Sequence, residues 1–255
     1  MKKIETLVIA AGGKGARLSG YFQDVSFNNT KTLFPIDGKP LLKYLIDAAL
    51  SNGYKKIFLL ASFYEKEIKK FVSQFYNDKN VSVIAGGEEG KSEGTTKVLS
   101  LIERELKSPF VYSDGDILFN PNLLGILSEV KSIDKILFRC VVSKYDAAPT
   151  HSQFIINGGK LSKINVRCKD SIDEFNDGYC SLGLMVINNK IFNLIPEYKD
   201  LNDLDQVIYK IFKINPDRVN FQIYEGDWLS VHRREDIDII KDGYYNNLLS
   251  SLKKH

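Results

Sequence analysis

The chain opens on a short run of apolar and β-branched residues, Ile4–Ala10, that breaks on glycines. A compact apolar run bounded by a turn signal predicts a buried strand. Leu41–Ser51 sets its apolar residues at helical spacing, and Ile57–Ala61 is again a compact apolar run. Glu65–Phe75 is amphipathic, with Ile68, Phe71, Val72 and Phe75 on one face. Val81–Ala85 reads as a strand, Thr95–Leu106 as a helix and Phe110–Ser113 as a strand. Strands alternating with helices predict an α/β fold: a Rossmann-like, mostly parallel sheet flanked by helices.

The rhythm changes near residue 133. Ile136–Val142, Ser152–Ile156, Leu161–Val166 and Leu182–Ile187 read as strands, and Asn157-Gly158-Gly159 signals a hairpin between two of them. Val207–Phe212 reads as a helix and Val219–Tyr224 as a further strand. From Glu235 the tail reads as one helix, amphipathic through Ile237, Ile240, Tyr244 and Leu248. The expectation is a single domain over 1–255, with halves at 1–133 and 134–255 and a smaller antiparallel part in the second.

The 255 residues are 44% hydrophobic and 26% charged, which excludes a disordered chain. A net charge of +3 is too mild to indicate a nucleic-acid partner. Cys140, Cys168 and Cys180 are scattered and odd in number, with no CxxC pair, so zinc is not expected and a reducing compartment is. No apolar run approaches the ~20 residues of a membrane span, and the first residues lack the pattern of a secretory signal. The expected location is cytoplasmic, with no membrane partner.

Candidate chemistry begins where the first strand ends. Ile9-Ala10-Ala11-Gly12-Gly13-Lys14-Gly15-Ala16-Arg17-Leu18 combines small residues with two cations. Glycines permit positive φ and close backbone approach, and N–H groups in such a turn can cradle phosphate. Arg17 can grip phosphate with a fork of donors. The dinucleotide fingerprint GxGxxG fails at Leu18. Lys31 follows in Thr30-Lys31-Thr32-Leu33-Phe34-Pro35-Ile36-Asp37-Gly38-Lys39-Pro40-Leu41-Leu42. Alone, the first stretch is equally a structural turn and Lys31 a solvated lysine. Gly90-Lys91-Ser92 invites a P-loop reading, but Ala85 stands where its first glycine belongs. Phe110–Leu118 is an apolar strand ending in Asp114-Gly115-Asp116, and a carboxylate there can hold Mg²⁺.

Together, the patterns GGxGxRL and K-x-L-x-P-x-x-G-K-P-L resemble the nucleotidyltransferases that make nucleotide-diphosphate sugars from sugar 1-phosphates. The resemblance implies transfer of an NMP from an NTP to a phosphorylated sugar or sugar-like acceptor, with release of pyrophosphate and Mg²⁺ as cofactor. It implies that Arg17 and Lys31 bind the NTP phosphates and that Ala11, Gly12, Gly13 and Gly15 hold the base and ribose. Glu89, Gly94 and Thr95 match a stretch that helps hold the base, though Gly94-Thr95 would also serve as a helix start. Asp116 matches a metal ligand.

Gly226-Asp227-Trp228-Leu229-Ser230-Val231-His232 resembles the segment that usually brings a second metal-binding Asp. Here that position is Ser230, and Asp227 is the nearest substitute. Acceptor contacts fall on Asp114, Arg167 or Lys169, and Gly183. His151 and His232 read as polar structural residues. The segment between Leu18 and Lys31 is longer than the resemblance leads one to expect. Self-association into a homo-oligomer stays open. Two other readings remain: a nucleotide-binding regulatory relative without turnover, and a glycosyltransferase using Asp114-Gly115-Asp116 as a D-x-D metal motif.

Overall fold

The computed structural model describes residues 3–13, 15–77, 79–86, 94–129, 133–144, 151–166, 178–198, 200–201, 203–243 and 245–253. The first elements are β1 (Thr6–Ala10), α1 (Ser19–Asp24), β2 (Pro35–Ile36), β3 (Lys39–Pro40), α2 (Leu41–Ser51), β4 (Lys56–Ala61), α3 (Glu65–Phe75) and β5 (Val81–Ala85). Next come α4 (Gly94–Ser100), β6 (Phe110–Asp114), β7 (Ile117–Phe119), α5 (Asn122–Ser128), β8 (Phe138–Lys144), β9 (Gln153–Asn157) and β10 (Lys160–Asn165). The last are β11 (Tyr179–Ile187), α6 (Leu204–Ile214), β12 (Val219–Ile223), β13 (Trp228–Ser230), α7 (Arg234–Lys241) and α8 (Asn246–Lys253).

Two compact units result, neither continuous in sequence. The first joins Met1–Glu93, Val111–Val130 and Gly226–His255; the second joins Gly94–Phe110 and Lys131–Glu225. Halves at 133/134 leave out this return of the tail to the N-terminal elements.

In the first unit β6, β1, β4 and β5 form a parallel sheet in that order. The middle of β1 is fully buried at Leu7, Val8 and Ile9, as a strand paired on both edges requires. The register aligns Ala10 with Leu60 of β4 and with Asp114 of β6. Three carboxyl-terminal strand ends therefore lie side by side, the edge at which open parallel sheets bind ligands.

The long segment after Leu18 folds as α1 and feeds an apolar cluster. Phe22 stacks on Phe34 with centroids 5.4 Å apart, and Phe27 meets Phe34 edge-on at 5.2 Å. Leu118, Leu229, Val231, Ile237 and Leu249 join this cluster. The tail is two helices rather than one. Gly243, with φ +81°, lies just past the end of α7 in the left-handed region that favours glycine, and α8 starts three residues later. The α-helix expected over Thr95–Leu106 stops at Ser100 and gives way to a 3₁₀ turn at Glu103–Glu105.

The second unit carries a mixed sheet in which β10, β9, β11 and β8 pair antiparallel in succession and β12 runs parallel to β8. The expected hairpin is present: Asn157 faces Lys160 across Gly158 and Gly159, both at positive φ. α6 is capped by Asp203, whose carboxylate accepts from the Asp205 N–H. Ser152 donates to Asp205 at 2.6 Å.

Candidate active site

The glycine loop leaves β1 by crossing the end of β4. Ala11 donates its N–H to Leu60 at 2.9 Å, and Phe63 donates to the Gly12 carbonyl at 3.2 Å. A Cβ on Gly12 would lie 2.2 Å from the Ser62 nitrogen, so any larger residue would force the loop off the strand end. Gly15 takes φ +64° and begins the 3₁₀ turn Ala16–Leu18, which presents Arg17 to solvent and buries Leu18. Lys14 lies outside the described residues.

Lys31 starts a 3₁₀ turn, Lys31–Leu33, and the threonines beside it fasten that turn to the loop. Thr30 and Thr32 are buried and donate to the Ala11 carbonyl at 3.2 and 3.0 Å. The lysine stem passes beneath Gly15, where a Cβ would stand 3.4 Å from Lys31 Cβ. The motif pattern singled out Lys31; it gave no weight to the threonines.

Asp116 is held from the other side. Gly115 donates its N–H to Ala10 at 3.0 Å, and a Cβ there would lie 2.5 Å from that carbonyl oxygen. This close crossing folds Asp116 over the end of β1. Its carboxylate is buried and forms an ion pair with Lys31 Nζ. His232 Nε2 approaches the same Oδ2 at 3.2 Å. Burial alone would push the Asp116 pKa up, but the Lys31 ammonium and the His232 contact more than offset it. The carboxyl is held well below the usual carboxylate range.

His232 arrives by strand pairing. Leu229 faces Leu118 and Ser230 faces Ile117 in the antiparallel β13–β7 ladder, and Val231 donates to the Asp116 carbonyl at 2.8 Å. Side chains alternate along a strand, so Leu229 and Val231 enter the apolar cluster while Ser230 and His232 share the other face. Ser230 Oγ lies 2.8 Å from His232 Nε2. The Asp236 carboxylate accepts from the N–H groups of His232 and Arg233, both at 2.7 Å. His232 is therefore a member of the site and not a bystander. The alternation Leu229-Ser230-Val231-His232 was the sequence signal that could have placed it.

Asp227 is exposed and precedes β13. The β13–β7 ladder pairs only Trp228–Ser230, so Asp227 lies just outside it. Asp114 lies at the end of β6 and accepts from the Tyr112 hydroxyl at 2.8 Å. Gly94, Thr95 and Gly183 belong to the second unit: Gly94 opens α4 at φ +73°, Thr95 follows it half-buried, and Gly183 takes φ +71° where the β11–β8 register shifts. Glu89, Arg167 and Lys169 lie outside the described residues.

No group of three or more His, Cys, Asp or Glu side chains stands together as a metal cage among the described residues. The Asp116 carboxylate and the His232 imidazole beside it are donors for a divalent cation whose shell substrate phosphates and water would complete.

Comparison with known proteins places this arrangement. A family model described as nucleotidyl transferase matches residues 6–228. The chain belongs to the nucleotidyl transferase family. Within that family it is 25% identical over 253 residues to the bifunctional protein GlmU of Methanococcus vannielii, covering 96% of this chain and 56% of the relative. It is 31% identical over 117 residues to the UTP–glucose-1-phosphate uridylyltransferase AglF of Haloferax volcanii, 46% of this chain and 45% of that one. The chain thus spans about half the length of the curated relatives it matches. The inositol-1-phosphate CTP transferase of T. maritima has the same fold, with a TM-score of 0.75, 20% identity and coverage of 98% and 97% of the two chains. The family match takes in the glycine loop, Lys31 and Asp116 and stops at Trp228, short of Ser230 and His232.

Proposed function

We propose that this chain transfers an NMP from an NTP to a phosphorylated sugar or sugar-like acceptor and releases pyrophosphate. The observation that carries the reading is the pairing of buried Asp116 with half-buried Lys31 beneath the glycine loop, at the carboxyl edge of a parallel sheet in a member of this family. An oxygen of the acceptor phosphate attacks the α-phosphorus, and the bond to the pyrophosphate oxygen breaks in line. The acceptor is already ionised, so no general base is needed. Lys31 Nζ, which only donates, can pass from the Asp116 carboxylate to a phosphate oxygen when the triphosphate binds. Arg17, exposed beyond Gly15, supplies a second cation for the charge that grows on pyrophosphate. Asp116 would hold Mg²⁺, which neutralises phosphate charge and orients the leaving group. Arg167 and Lys169 are the candidates for the acceptor phosphate. The proposed setting is cytoplasmic; no helix among the described residues is long and apolar enough to cross a membrane.

The test is a coupled pyrophosphate assay with four NTPs against phosphorylated sugars and small phosphorylated alcohols. Release that needs one NTP, one acceptor and Asp116 is the expected result. Nucleotide binding without release from any pair would make the chain a regulatory relative instead.

A further inference from the structure

His232 gives the cation position a character that its carboxylate alone would not. Asp116 Oδ2 and His232 Nε2 are 3.2 Å apart, and both side chains are largely buried, at 8% and 16% exposure. First-row divalent ions hold nitrogen and oxygen donors at about 2.0–2.2 Å, so two donors at right angles on one ion stand about 3 Å apart. The pair already has that spacing. The surrounding backbone fixes it: the Val231 N–H bonds to Asp116, and Asp236 takes the His232 N–H. Ser230, beside the imidazole, is neutral and a weak donor, so it does not turn the position into an all-carboxylate one.

We infer that Asp116 and His232 form a mixed carboxylate–imidazole seat for a divalent cation, one that favours Mn²⁺ or Co²⁺ over Mg²⁺. Magnesium takes oxygen ligands, whereas imidazole suits softer first-row ions, whose affinities for nitrogen-containing sites rise from Mn²⁺ to Co²⁺. Lys31 Nζ occupies the same Oδ2, so the seat opens fully only when phosphates draw the ammonium away. This inference rests on the nucleotidyltransferase reading for the phosphates that complete the shell.

Pulsed EPR of the intact protein with Mn²⁺ and inorganic triphosphate tests it, because triphosphate contains no nitrogen. Wild type is expected to show ¹⁴N coupling from a bound imidazole. His232→Asp should bind Mn²⁺ without that coupling. His232→Gln, a side chain of similar reach without the imidazole, should bind Mn²⁺ roughly tenfold more weakly. Mg²⁺ should displace Mn²⁺ more readily from His232→Asp than from wild type. Lys31→Met should bind Mn²⁺ without triphosphate. Asp116-dependent Mn²⁺ binding with no ¹⁴N coupling in wild type would overturn the mixed seat and leave the transferase reading standing. Mn²⁺ binding indifferent to Asp116→Asn would overturn the seat altogether, while pyrophosphate release by wild type decides the transferase reading separately. Circular dichroism and thermal melting of each variant separate a lost ligand from a lost fold.

Discussion

Lys31 and His232 reach the same oxygen of Asp116 by different routes. Lys31 comes from a turn twenty residues after the glycine loop, and Thr30 and Thr32 bolt that turn to the loop through the Ala11 carbonyl. His232 comes from the far end of the chain, and a three-pair antiparallel ladder sets its position. The first flank is fixed by hydrogen bonds that tie two neighbouring loops together. The second depends on strand register, and a slip of one residue would turn His232 into the apolar cluster and Val231 into the site. The comparison predicts that damage on the Lys31 side falls on nucleotide handling and damage on the His232 side falls on the cation.

Asp116, shared by both flanks, should show the largest effect. Asp116→Asn is expected to lower kcat/KM on the order of a thousandfold, about 4 kcal/mol of transition-state stabilisation, in a protein that still folds. A folded variant with wild-type rates would remove Asp116 from the mechanism. The depressed pKa of Asp116 adds a pH signature. A carboxyl whose folded pKa lies below its unfolded value contributes stability fully above the unfolded pKa, near pH 4, and loses it as pH falls through the folded one. Thermal melts from pH 6 downward should therefore fall less steeply for Asp116→Asn than for wild type.

Next come the two flanks themselves. Lys31→Met should lower kcat and raise the KM for NTP, together on the order of a hundredfold in kcat/KM, and Arg17→Ala should cost about tenfold, being exposed. His232→Gln should leave the KM for NTP near wild type at saturating metal and raise the metal concentration needed for half activity. If both flanks shift the same constants, the division between them is wrong.

Gly12 anchors the better-fixed flank, and its substitution should act on stability. Gly12→Ala sets a Cβ 2.2 Å from the Ser62 nitrogen, an overlap expected to cost about 2 kcal/mol or more. Gly20, inside α1 with nothing within 4 Å of its Cβ position, is the control: Gly20→Ala should raise the melting temperature, since alanine is favoured over glycine in a helix by about 1 kcal/mol. Equal melting temperatures for the two variants would mean that the loop is not seated on the strand end.

How much of this was legible in the sequence follows from the same contrast. The parallel βα part could be read because buried strands such as Leu7–Ile9 are apolar without interruption and the helices between them keep a helical period. Lys31 and Asp116 could be singled out because each lies inside a compact motif at a strand end. The β7–β13 pair could not: each strand is three residues long, too short for periodicity to register, and their partners are more than a hundred residues apart. Ser230 drew attention as a missing carboxylate, and that focus on one position hid the imidazole two residues on, which shares its face. Thr30 and Thr32 were invisible for a different reason. A buried threonine hydroxyl that ties two loops together has no pattern in one dimension.

Asp227→Ala should have the smallest effect, and it tests the register directly. Asp227 is the acid nearest in sequence to Ser230, so proximity along the chain would nominate it as the second ligand. Antiparallel pairing argues otherwise. Ser230 faces Ile117 and Trp228 faces Phe119, so moving back from Ser230 toward Asp227 moves away from Asp116. If the chain stays extended back to Asp227, the four residues from Val231 span about 13 Å, more than the reach of one cation's ligand shell. At physiological salt that span also exceeds the screening length of about 8 Å, so the exposed carboxylate exerts little field at the site. Asp227→Ala should therefore keep kcat/KM within about twofold of wild type and leave the metal dependence unchanged. A loss approaching that of Asp116→Asn, in a variant that melts like wild type, would mean that the β13 register differs when substrates are bound. It would also transfer the second ligand from His232 to Asp227.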